Sequence, residues 1–249
     1  MRYSPKERLI AHFLSSFPGL KQKIKYAYQQ LNYWRFKKDY QFISPNKIIR
    51  ITNNQKDSSF FGYYDKSPMS KDGQYIIFHS TTANTRNKPE KTVELDLMLY
   101  NMSTQQTQKF ATTKAFNWQQ GSKLQWLSDN EIIYNDYTVK SDSYVSRIFH
   151  CETKKLKTID VPIYDVYNDY GLSLNFDRLT DLRPDYGYFA KKPHNTSFQL
   201  QNEGVIYVDL KTNKAHLLLS LEGIIKSHYR SDMDDANHLV NHIMISPCG

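Results

Sequence analysis

The sequence predicts a mainly β fold: an incomplete β-propeller of about three to four blades behind an N-terminal amphipathic helical leader. Three observations predict it. Helical periodicity holds over residues 1–45 and fades over 46–249. A turn that feeds a short apolar strand recurs in the second region, at residues 67–78, 124–134 and, more loosely, 182–189. A strand, a turn containing Thr and another strand follow each copy, with Thr104, Thr153 and Thr212 spaced 49 and 59 residues apart.

In the leader, Ser4-Pro5-Lys6-Glu7 reads as a helix start, because Ser4 and Glu7 can cap each other's backbone and Pro5 suits the first helical position. Leu9, Ile10, Phe13, Leu14 and Phe17 keep helical spacing as far as Pro18-Gly19. Leu20, Ile24, Ala27, Tyr28, Leu31 and Trp34 resume it. Residues 1–40 carry nine basic side chains against Glu7 and Asp39, a net +7 of the chain's +8, so a partner for positive charge belongs to the leader. Two readings stand side by side. The apolar face packs on the body, or it lies in an anionic membrane surface, with Lys21, Lys23, Lys25, Arg35, Lys37 and Lys38 facing lipid charge and Tyr33, Trp34 and Phe36 near the headgroups. Nucleic acid is disfavoured, because no binding signature accompanies these residues. No run approaches the ~18 apolar residues that span a bilayer, and the stretch 9–14 lacks the length and cleavage site of a secretory signal.

In the body, Asp72-Gly73, Asp129-Asn130 and Pro184-Asp185 are turn formers for definite backbone reasons, which gives the repeat a mechanism. A further copy begins at Ile245-Ser246-Pro247-Cys248-Gly249. The 204 residues after position 45 hold about three and a half units, fewer than the roughly four to eight blades of a closed propeller, so an N-terminal fragment of a longer propeller is expected. Cys151 and Cys248 show no pairing pattern, which fits a reducing compartment.

The pattern Ser-Pro-x-x-x-Asp-Gly-x-x-Ile-x-Phe at 67–78, with its Leu-x-Trp-x-x-Asp-Asn relative at 124–130, resembles the blade repeat of TolB-like propellers, which oligogalacturonate lyases share. Phe61-Gly62-Tyr63-Tyr64-Asp65, Asn175-Phe176-Asp177-Arg178-Leu179 and Asn241-His242-Ile243-Met244-Ile245-Ser246-Pro247 are similar to phrases in propeller proteins of bacterial capsule and surface-polysaccharide gene clusters. The resemblance covers about residues 58–249 and excludes the leader.

Three clusters are candidates for chemistry. His238-x-x-x-His242, behind Asp232, Asp234 and Asp235, has a spacing that shares one face in a strand or a helix. It reads either as part of a divalent-metal site, for Mn or Zn, or as two ordinary hydrogen-bonded histidines near a turn. Oligogalacturonate lyases hold a metal largely with histidines, so the resemblance implies His242 as a ligand. Asp177, Arg178, Asp181 and Arg183 suit an acidic sugar, with Arg178 and Arg183 steadying an enolate-like intermediate of β-elimination; a salt-bridge network between blades is the other reading. Tyr63, Tyr64 and Asp65 offer ring faces and an acceptor to a sugar, or inter-blade packing.

Nucleotide-binding glycine loops, a Gly-x-Ser-x-Gly elbow and zinc-type cysteine spacings are absent from the sequence. The resemblance implies a carbohydrate-handling protein of surface-polysaccharide production, cytoplasmic and peripheral at the inner membrane face. It would be either a metal-assisted, lyase-like enzyme on acidic sugars or a non-catalytic module recruiting polysaccharide-assembly enzymes.

Overall fold

A computed structural model describes residues 17–39, 41, 43–52, 57–191 and 198–249. The chain divides into two units, Met1–Ile49 and Arg50–Gly249. The described part of the first is dominated by one helix, α1 (Pro18–Phe36), with Pro18 at the first helical position, where a missing N–H costs nothing. Its periodic apolar residues are those expected from the sequence. The helix expected from Ser4 onward lies outside the described residues.

The second unit is mainly β. Sheet 1 pairs β1 (Ser58–Phe60), β2 (Tyr75–Thr81), β3 (Leu95–Asn101) and β4 (Gln106–Thr113). Sheet 2 pairs β5 (Gln125–Trp126), β6 (Glu131–Thr138), β7 (Ser143–His150) and β8 (Leu156–Ile159). Sheet 3 pairs β9 (Asp165–Tyr167), β10 (Tyr170–Ser173), β11 (Gly204–Asp209) and β12 (Lys214–Ser220). All three are antiparallel meanders in chain order. Two short helices, α2 (Phe176–Leu182) and α3 (Leu221–Ser227), flank the last two strands of sheet 3.

The threonine repeat has a local cause. In each sheet the hairpin after the third strand is capped by a side chain three residues before the Thr. Asn101 Oδ1 accepts from Ser103 and Thr104 N–H, His150 Nδ1 from Thr153, and Asp209 Oδ1 from Lys211 and Thr212. The residue after each Thr is left-handed: Gln105, Lys154 and Asn213, at φ 56°, 57° and 57°. That left-handed step is how a short hairpin turns with the strand twist.

Strand periodicity joins the sheets. On β6, Ile132 and Tyr134 pack with Ile77, Leu97, Leu99 and Phe149 against sheet 1. Ile133, one residue out of phase, packs with Ile148, Ile159, Ile163 and Val208 against sheet 3. Sheet 2 is thus buried on both faces. A third core gathers Tyr144, Tyr164, Leu174, Phe176, Leu179 and Tyr188, where α2 and its following loop close over the strands.

One expectation is overturned. Residues 182–189 do not form a turn and a strand: Leu182 ends α2, and 184–187 is a turn with no strand after it. Asn175 explains the helix, since its side chain accepts from Asp177 and Arg178 N–H as an N-cap. The first two strands of sheet 3 lie earlier, at β9 and β10, and the helix and its loop are inserted before β11. Residues 241–245 likewise contain no strand.

His79, on β2, is fully buried, stacks on Phe60 at 5.0 Å and accepts from the Ser122 N–H at 3.1 Å. Burial lowers its pKa from 6.5 to about 4, against upward pulls from the Phe61 and Phe60 backbone. The unfolded chain therefore binds this proton first, so the stability His79 supplies is complete above pH 6.5 and is lost as pH falls toward 4. Urea unfolding is expected to show about 3 kcal/mol less stability from this group at the acidic end, and a His79→Gln variant is expected to show a flatter pH profile. Identical profiles for the two proteins contradict the assignment.

Candidate functional site

Four chain segments converge beside the starts of the three sheets. They are the loop 62–66 after β1, the bend 117–123 before β5, Tyr164-Asp165 at β9, and the segment 241–245. Two glycines permit the approach. A side chain at Gly62 (φ 143°) would meet Gln120 O at 2.9 Å, and one at Gly121 (φ 60°) would meet the His79 ring at 2.2 Å.

The floor is polar and enclosed. The Lys123 side chain is only 3% exposed and that of Asp65 7%, with Lys123 Nζ 3.8 Å from Asp65 Oδ2 and 3.6 Å above the Tyr164 ring. Lys66 pairs with Asp165, whose Oδ2 also accepts from Ile245 N–H at 2.7 Å. Burial pulls the Lys123 pKa down to about 8. Asp65 and Asp165 hold it up, and Lys66 pushes it further down. Tyr164 Oη accepts from Gln120 Nε2 at 2.9 Å and His242 N–H at 3.2 Å, and donates to Asn241 Oδ1 at 3.2 Å. Asp65 Oδ1 and Gln120 Oε1 are buried without a hydrogen-bond partner among the described residues. Such atoms call for a reason.

Above this floor runs an unbroken line of side chains. Tyr64, 85% exposed, lies 4.5 Å from Tyr63; Tyr63 is 5.5 Å from His242; His242 is 5.1 Å from Tyr186; and the Arg183 guanidinium is 5.5 Å from the Tyr186 ring. Desolvation first, then Tyr64 and Tyr186, raises the Tyr63 pKa above its ordinary value. Residues from all three sequence clusters meet here: Tyr63, Tyr64 and Asp65, Arg183, and His242. Sequence reasoning missed Lys123, Tyr164, Gln120 and Tyr186. Lys123 sits at φ 53°, and only the resemblance of its surroundings to the Asp65-Lys66 stretch of the first repeat would have marked it.

The other predicted residues are engaged elsewhere. Arg178 is buried, its Nε donates to His238 O at 2.7 Å, and its guanidinium lies 5.1 Å from the Phe198 ring. Asp177 pairs with Lys191 at 2.6 Å beside a cavity of about 220 Å³. Asp181 is held above the usual carboxylate range by burial and then by Asp177. His238 Nε2 donates to Met233 O at 2.8 Å, and His242 is left-handed at φ 55°, so the segment is neither strand nor helix and the four-residue spacing no longer implies a shared face. Among the described residues no group of three His, Cys, Asp or Glu side chains is placed to hold a metal. His238 and His242 by themselves are too few to hold the expected Mn or Zn.

A separate cavity of about 630 Å³ lies between the hairpin turns of sheets 1 and 2, lined by Asp72, Tyr75, Asn101, Asp129, Glu152 and Lys154 among others. It shares no residue with the line of rings.

No protein-family model matches the chain, and no curated protein matches it in sequence. Solved structures do show similarity. The β-propeller domain of the trilobed protease from Pyrococcus furiosus aligns over 61% of this chain and 42% of its own, at 13% identity and TM-score 0.38. Oligogalacturonate lyase in complex with manganese aligns over 68% and 43%, at 16% identity and TM-score 0.40. TolB from Acinetobacter baumannii aligns over 66% and 44%, at 13% identity and TM-score 0.29. The chain spans less than half the length of each.

Proposed function

We propose that the body is part of a β-propeller that recognises an acidic carbohydrate, in the service of surface-polysaccharide production. The observation that carries this is the continuous line Tyr64–Tyr63–His242–Tyr186 ending on the exposed Arg183. Ring faces stack on the apolar faces of sugars, and a guanidinium at the end of the line is shaped to take a sugar carboxylate through two parallel hydrogen bonds. The polar floor of Lys123, Tyr164 and Asn241 fixes the backbone that presents the rings.

Recognition suits these groups better than β-elimination. Arg178 is committed to a backbone carbonyl, and Lys123, whose pKa burial pulls down to about 8, is enclosed out of a substrate's reach. A non-catalytic module that gathers polysaccharide-assembly enzymes around its sugar fits this better than a lyase. The assignment to surface polysaccharide rests on the phrases at 61–65, 175–179 and 241–247. The three meander sheets support the propeller.

Calorimetric titration with an oligomer of galacturonic acid, against the uncharged galactose oligomer, tests the reading. Tyr64→Ala is expected to weaken the acidic oligomer roughly tenfold while leaving thermal stability unchanged, because the ring is exposed. Arg183→Gln is expected to erase the preference for the acidic oligomer. Equal binding of both oligomers by the unaltered chain, or no effect of Tyr64→Ala, overturns it.

A further inference from the structure

The apolar side of α1 is exposed among the described residues. Leu20, Ile24, Leu31 and Trp34, at steps of four, seven and three residues, share one stripe, and all four are exposed, Trp34 to 79%. From Leu20 to Lys38 there is no acidic residue, against six basic ones: Lys21, Lys23, Lys25, Arg35, Lys37 and Lys38. At 1.5 Å per residue its 19 residues extend about 28 Å. Yet no helix among the described residues is long and apolar enough to cross a membrane. An exposed apolar stripe with cations on its flanks and no anions is what an interfacial helix requires.

We propose that α1 lies in the plane of a bilayer surface containing anionic lipid, with Leu20, Ile24, Leu31 and Trp34 inserted below the headgroups. The positions of the cations favour lipid over a second copy of the chain. Lys23 and Arg35 border the stripe on opposite sides, where a helix–helix seam would bury them without a carboxylate to pair with. At a bilayer their long stems lie along the apolar surface and their charges rise to the phosphates. They also favour lipid over nucleic acid, which would neutralise the cations and leave the stripe in water. Of the three aromatic residues near the helix end, only Trp34 belongs to the stripe. Tyr33 and Phe36 lie on the opposite side of the helix and stay in water, a correction to the placement expected from the sequence. This inference does not depend on the sugar site.

The test is flotation of the full chain with vesicles of phosphatidylcholine alone and of phosphatidylcholine with phosphatidylglycerol. Co-flotation is expected only with the anionic vesicles and is expected to weaken as salt rises. Replacing Lys21, Lys23, Lys25 and Arg35 by Gln is expected to lower partitioning by roughly a thousandfold at low salt. Replacing Leu20, Ile24 and Leu31 by Gln is expected to abolish it. Brominated lipid acyl chains are expected to quench Trp34 emission, read as the difference from a Trp34→Phe variant. Because the helix is exposed, the thermal transition of the β unit serves as the folding control and is expected to be the same in every variant. Absence of flotation overturns the proposal. So does undiminished flotation of either Gln variant, or a dimer in light scattering that the apolar variant dissolves without any flotation by the unaltered chain.

Discussion

Replacing Asp65 by Ala is expected to destabilise the β unit by about 3–5 kcal/mol at neutral pH, because it leaves the enclosed Lys123 ammonium without its carboxylate. Lys66 adds repulsion nearby, and Asp165 is already paired to Lys66, so neither compensates. The deficit has a distinctive pH dependence. The folded Lys123 pKa lies near 8 and falls further without Asp65, so the folded variant sheds its unfavourable charge at a lower pH than the unaltered chain; the gap between them narrows as pH rises toward about 8 and is constant above it. Removing both charges at once, Lys123→Met with Asp65→Leu, is expected to recover most of the loss, as apolar replacements of buried pairs do. Chemical denaturation across pH measures all three. A loss that does not shrink as pH rises toward about 8, or a double variant no better than Asp65→Ala, contradicts a desolvated ion pair as the cause.

Asn135→Ala is expected to cost a similar amount, about 3–5 kcal/mol, through hydrogen bonds alone. Asn135 is 1% exposed on β6 and uses all of its side-chain capacity. Oδ1 accepts from Ser146 Oγ and Ile163 N–H, both at 2.8 Å, while Nδ2 donates to Ile163 O at 2.8 Å and Tyr188 Oη at 2.9 Å. It therefore ties sheet 2 to the link leading into sheet 3 and to the loop after α2. Truncation leaves the Ile163 carbonyl and the Tyr188 hydroxyl orphaned among buried groups. A loss below about 1 kcal/mol in urea denaturation would mean that other groups or water satisfy them.

These two sites show what the sequence made legible and what it hid. The hairpins after β3, β7 and β11 were readable because each rests on local chemistry, a strand followed by a turn whose cap sits three residues before a Thr. Their left-handed residues were not, since Gln105, Lys154 and Asn213 stand where Gly would have announced the turn. β9 and β10 were missed because strands of three and four residues carry no measurable period. The phrase at 182–189 misled because Pro184-Asp185 is indeed a turn, but one that ends a helix capped by Asn175. Tyr63, Tyr64, Arg183 and His242 were picked singly for their chemistry. That they form one line depends on contacts 179 and 56 residues apart in the chain, which no local pattern encodes. Lys123 and Tyr164 stayed hidden for the same reason, since a lysine over a tyrosine ring 41 positions away has no sequence signature.

The most direct test of the sugar platform is ring-resolved NMR. The aromatic carbon–proton signals of Tyr63, Tyr64, Tyr186 and His242 are followed as a galacturonic acid oligomer is added, with Tyr75 in the cavity between sheets 1 and 2 as the reference. Concerted, saturable shifts of the four rings with Tyr75 unmoved are expected. Shifts confined to Tyr75, or none at saturating sugar, would contradict the platform.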